Sequence, residues 1–191
     1  MPGPARSSMR SDAEQNRARI LEVARTALTE SGDASMQSIA KRAGVGQGTL
    51  YRHFPTREAL LLTVYRQDVQ ELVATAPALL AAHRPFDALR LWFDRLASYG
   101  RIKHGLADAL QAATRAELAG EHYGPVIGAL TLLLDACKRT GGMRPDVDAD
   151  EVLELVGFLW RTDPRPDRET RAQHMLTLVI DGMRSRPDSG H

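Results

Sequence analysis

From about Gly46 to His53 the chain carries amide, hydroxyl, guanidinium and imidazole groups at the spacing of one short helix, with Arg57 just beyond it. Leu50 and Phe54, four apart, make its inward edge and leave Gln47, Gly48, Thr49, Tyr51, Arg52 and His53 for the other faces. The chemistry available to such a set is recognition by hydrogen bonds and charge. Gln47 and Thr49, at the helix start, match the donor and acceptor edges of bases in the DNA major groove. Tyr51, Arg52, His53 and Arg57 match flanking phosphates. Gly46 and Gly48 leave the helix start without bulk, as suits a helix that enters a groove N-terminus first. The competing reading is a polar hairpin on the surface of any helical protein.

Three elements are needed to hold this set in place. Ser35 caps a preceding helix with its hydroxyl, and Ile39, Ala40 and Ala43 form that helix's inner edge. Lys41 and Arg42 line it. Gly44 supplies the left-handed residue of a sharp turn, and Val45 plugs the corner. Pro55 stops the second helix and Thr56 caps the one that follows. Upstream, Ser11 to Glu14 reads as a capping box, followed by a helical stripe of Ile20, Ala24, Ala27 and Leu28 that packs across the hairpin.

The run TLYRHFPTREAL, Thr49 to Leu60, after SIAKRAGVGQG, closely resembles the DNA-binding domain of the TetR family of bacterial regulators. Thr49, Leu50, Tyr51, His53, Phe54 and Arg57 match the family pattern, with Arg57 where many members carry Lys. The likeness covers about Ala13 to Tyr65, and beyond it only size and helical layout agree. The resemblance implies a homodimeric repressor released from a near-palindromic operator by a small ligand. It also implies that the helix beginning at Thr56 is the lever between ligand and DNA, and that the last two helices pair with their copies. On that implication Val156, Leu159, Trp160, Met175, Val179 and Met183 are interface residues; packing inside one subunit is the alternative.

Composition sets outer bounds. The chain has 191 residues, of which 43% are hydrophobic, enough for a real core. No apolar run reaches transmembrane length and MPGPARSSMR lacks the apolar block of a secretory signal, so no membrane partner is expected. The single cysteine, Cys137, excludes an internal disulfide and fits a reducing cytoplasm. Residues 1–66 hold ten Lys and Arg against six Asp and Glu, a surplus of four positive charges; the remainder holds fifteen against eighteen. A basic first third joined to a mildly acidic remainder suits one part that meets phosphate and one that does not.

Downstream, punctuation separates further helices. Pro77 is expected to end or kink the connector. Pro85 opens a helix bearing Phe86, Leu89, Phe93 and Leu96, and a weaker Ala-rich helix is expected from about Gly105 to Glu117. Another carries Val126, Leu130, Leu133 and Cys137 and stops at Gly141-Gly142. Asp148 to Glu151 forms a second capping box, and a last helix runs from about Arg168 to Arg186. The expected fold is all-α with about nine helices: a tail over 1–10, a helix-turn-helix domain over 11–55, an effector-binding and dimerisation domain over 56–186, and a tail over 187–191.

Enzyme chemistry is not expected. Gly44 to Gly48 follows a helix instead of a strand, so it is no nucleotide-binding loop; no metal-ligand spacing or nucleophile elbow occurs, and no cofactor is implied. Tyr65, Trp92, Phe93 and Phe158, with Leu96 and Leu130, are of the type that walls a pocket for an apolar or amphipathic effector, and Asp68, His104 and Gln111 could orient it. The same side chains at the same spacing also make an ordinary core. The expected function is a cytoplasmic, sequence-specific transcriptional repressor binding double-stranded DNA as a homodimer; an effector-independent DNA-binding protein or an activator is the alternative.

Overall fold

The computed structural model describes residues 4–31, 35–109, 112–157 and 168–185. Among these the backbone forms eight helices: α1 Pro4–Ser31, α2 Met36–Arg42, α3 Gln47–His53, α4 Arg57–Ala82, α5 Pro85–Ala109, α6 Ala112–Arg139, α7 Ala149–Leu155 and α8 Arg168–Gly182. No strand forms among the described residues, and their one pairing of extended backbone is an isolated antiparallel bridge between Met143 and Arg184. The all-α expectation holds.

Where boundaries differ from expectation, backbone chemistry gives the reason. α1 begins at Pro4, ahead of the capping box at Ser11, so the stretch expected as a tail is helical from there. Proline suits a first helical position, where the N–H it lacks has no intrahelical partner. The Ala-rich segment expected as a separate helix is divided between α5 and α6, giving eight helices instead of nine. α5 passes Gly100 and Gly105, and α6 passes Gly120 and Gly124, because glycine weakens a helix without stopping it. The left-handed conformation does end helices, and the described glycines that adopt it, Gly44 at φ 66° and Gly141 at φ 72°, follow the ends of α2 and α6. Pro77 sits inside α4, which continues to Ala82. Burial of Ala76 and Leu79 on either side offsets the hydrogen bond that proline forfeits.

Contacts divide the chain into two compact units, Met1–Gln67 with Arg101–Leu110, and Asp68–Gly100 with Gln111–His191. In the first, Ile20, Leu21, Ala24 and Leu28 of α1 are buried, as are Ile39 of α2, Leu50 of α3 and Leu60, Leu61 and Val64 of α4. In the second, the buried set is Trp92, Phe93 and Leu96 of α5, Leu130, Leu133, Leu134 and Cys137 of α6, Val152 of α7, and Leu176 and Ile180 of α8. Each large apolar side chain buried in this way stabilises its unit by about 1.5–3 kcal/mol against exposure.

The end of α8 is tied back within the second unit. Arg144 N–H donates to the Met183 carbonyl and Ser185 N–H to the Gly142 carbonyl, both at 3.0 Å. A Cβ on Gly142 would lie 2.8 Å from Phe86 Cε2, so any larger residue there would have to push the Phe86 ring aside. On the same ring, the Arg184 guanidinium carbon stands 4.4 Å from the centroid, a cation–π contact.

Candidate nucleic-acid interface

Local capping builds the hairpin. Ser35 is extended at φ −74° and ψ 150°, and its hydroxyl accepts the Ser38 N–H at 3.2 Å to start α2. At the other end Ala43 N–H donates to Ile39 O at 2.8 Å, and Val45 N–H reaches back to Ala40 O at 3.0 Å around Gly44. Gly46 begins α3 with no side-chain cap; its carbonyl accepts from Thr49 N–H at 2.9 Å and Leu50 N–H at 3.1 Å. Thr56 then caps α4, its hydroxyl accepting the Ala59 N–H at 3.1 Å.

This construction divides α3 sharply. Leu50 and Phe54 are buried, while Gln47, Gly48, Tyr51 and Arg52 are exposed, Tyr51 to 48%. Thr49, His53 and Arg57 are half-buried, as is Val45 at the corner. Lys41 and Arg42 on α2 are exposed. The Arg17 guanidinium of α1 lies 5.3 Å above the Phe54 ring, so the first helix grips the buried edge of the third. Gly46 and Gly48 have neither a positive φ nor any heavy atom within 4 Å of where a Cβ would stand. Nothing inside this unit demands glycine at either position. An outward row of amide, hydroxyl and guanidinium groups with bulk removed at its start is suited to a polar surface that approaches closely.

Two family models divide the chain between them. The bacterial regulatory proteins of the tetR family match residues 20–64, and the C-terminal domain described as transcriptional regulator SbtR-like matches residues 84–185. This chain belongs to the TetR family. Its helices are those of a family of transcriptional regulators, and among solved structures the protein is similar to the TetR transcriptional regulator SCO0520 from Streptomyces coelicolor. That likeness has 40% identity and a TM-score of 0.77 over 90% of this chain and 99% of that one. It is also similar to the TetR transcription regulatory protein from Mycobacterium vanbaalenii, at 34% identity and a TM-score of 0.71 over 93% and 99%. An HTH-type transcriptional regulator of Staphylococcus aureus (strain USA300) is 46% identical over 63 residues, 32% of this chain and 34% of the relative. The match thus spans about a third of the length of the curated relatives.

The other residues singled out in the sequence fall differently in this TetR-family protein. Tyr65 is buried in the first unit; Asp68, Trp92, Phe93, Leu96 and Leu130 are buried in the second. Trp92 and Phe93 meet edge-on with centroids 5.9 Å apart. His104 lies on α5, with a side chain outside the described set, and Gln111 and Phe158 lie outside the described residues. So do Leu159 and Trp160 of the expected interface. Of the rest of that set, Met175 is exposed and Val179 half-buried, whereas Val156 and Met183 are buried inside the subunit. The most exposed large apolar side chains on these helices are instead Leu155 at 62% and Leu178 at 59%, with Met175 less so at 36%. Sequence reasoning also missed Glu30, whose carboxylate lies against Arg42; the two are on different helices, so no local spacing announces the contact. No helix among the described residues is long and apolar enough to cross a membrane.

Proposed function

We propose that this protein is a sequence-specific DNA-binding regulator, a homodimeric repressor that a small apolar or amphipathic effector releases from a near-palindromic operator. The observation that carries the reading is the polarity of α3, with Leu50 and Phe54 buried and Gln47, Tyr51 and Arg52 turned outward behind two glycines that nothing internal requires. In this reading Gln47 and Thr49 read base edges, while Lys41, Arg42, Tyr51, Arg52, His53 and Arg57 hold phosphates. Residues 11–55 form the DNA-binding part and residues 56–186 the effector-binding and dimerisation part.

Dimerisation is supported by Leu155 and Leu178, large apolar side chains left in solvent on α7 and α8. It is also a mechanical need, since two recognition helices must reach grooves about 34–36 Å apart. The effector acts by linkage: it prefers a dimer whose recognition helices are off groove spacing, and a coupling of about 1–3 kcal/mol lowers operator affinity some 5–150-fold.

Footprinting of the DNA flanking the protein's own gene, at two salt concentrations, tests the reading. A protected near-palindrome that weakens with salt and is lost in Arg57→Ala is the expected result. If neither that DNA nor random genomic fragments bind at low salt, the DNA-binding reading is wrong.

A further inference from the structure

Arg42 is the last residue of α2, and its Nη1 lies 3.0 Å from Oε2 of Glu30, near the end of α1. The pair bridges two helices of the first unit. It is also open to solvent, with 43% of the Arg42 side chain and 58% of the Glu30 side chain exposed. A guanidinium presents the same planar fork to a carboxylate as to a phosphate, so the two anions compete for it. On the proposed interface Arg42 is one of the phosphate-holding cations, and its partner inside the folded chain is a carboxylate. A phosphate that takes the whole guanidinium fork must displace Glu30, and one that takes only the remaining N–H groups must sit beside its negative charge.

We propose that Glu30 is an autoinhibitory residue of the DNA-binding face, holding Arg42 in competition with the DNA backbone and keeping phosphate affinity below what the basic side chains alone supply. This rests on the DNA-binding reading above. Phosphate contacts carry no sequence information, so the restraint acts alike on every duplex. Its consequence is a weaker sequence-independent attraction, which leaves more of the binding to the base-reading residues of α3 and shortens residence on non-specific DNA. Because both the pair and the phosphate contact are solvent-exposed, salt screens the restraint.

Fluorescence anisotropy with the full chain, using a mixed-sequence duplex and the duplex upstream of its own gene, tests this. Wild type, Glu30→Gln, Arg42→Gln and the double variant are compared at low and moderate salt, with melting temperatures to establish that all are folded. Glu30→Gln is expected to bind both duplexes about 2–5-fold more tightly at low salt, the scale of one exposed ion pair, and by less at higher salt. Arg42→Gln is expected to bind more weakly, and the double variant to bind like Arg42→Gln. An unchanged affinity in Glu30→Gln overturns the proposal. So does an equal gain in the Arg42→Gln background, which would make Glu30 a general repulsive charge with no hold on Arg42. If wild type binds neither duplex, the DNA-binding reading itself falls, an outcome distinct from wild-type binding that Glu30→Gln leaves unaltered.

Discussion

The indole N–H of Trp92 donates to the backbone carbonyl of Leu72 at 3.0 Å, joining α5 to α4 within the second unit. The same carbonyl accepts the Thr75 hydroxyl at 2.8 Å. Pro77 has no N–H for the carbonyl of Val73, one residue past Leu72, so the indole anchors α4 beside the turn where its own hydrogen bonding thins. Trp92 is fully buried and its ring stands at 62° to that of Phe93.

Trp92→Phe removes that donor and leaves space in a close-packed interior. It should destabilise the protein by about 1–3 kcal/mol in urea denaturation. A cost within the half-kilocalorie range usual for surface changes would show that the indole hydrogen bond holds little.

Gly48→Ala separates folding from recognition. The position is helical, exposed and without a neighbour within 4 Å of the added carbon, so alanine should stabilise the folded chain by up to about 1 kcal/mol. If α3 approaches DNA as proposed, the same methyl group should weaken operator binding. A higher melting temperature with unchanged affinity would remove Gly48 from the interface.

Replacing Leu178 or Leu155 by lysine should shift a dimer toward monomer in sedimentation experiments while leaving helical content intact, because both side chains are mostly in solvent within one subunit. Leu176→Lys, at a buried position on the same helix, should instead unfold the protein. Variants at 155 and 178 that remain fully dimeric would place the interface elsewhere.

Burial pushes the Cys137 thiol up from about 9 to about 11, partly countered by the Arg184 charge. The neutral thiol is the form favoured in the folded state. Its contribution to stability is therefore complete below the unfolded value near 9 and is lost as pH rises through the folded value of about 11. Cys137→Ala should flatten the fall in stability across that interval, measured by denaturation at stepped pH. At neutral pH the native thiol should react with a thiol reagent only as fast as the protein opens.

What the sequence determined by itself is local. The caps at Ser35, Thr56 and Asp148 lie where expected, and each works through contacts within three residues. The turn at Gly44 and the inward pair Leu50 and Phe54 were legible for the same reason: spacing along one or two helices decides them. Tertiary structure decided what spacing cannot. Whether Pro77 breaks a helix depends on how much neighbouring surface is buried, and whether Val156 or Leu155 faces solvent depends on which elements cover α7. The pairing of Glu30 with Arg42 and the closeness of Gly142 to Phe86 exist only because separate segments are brought together by folding. A single chain's periodicity states that a face is apolar; only the packed structure states whether that face is filled by the chain itself.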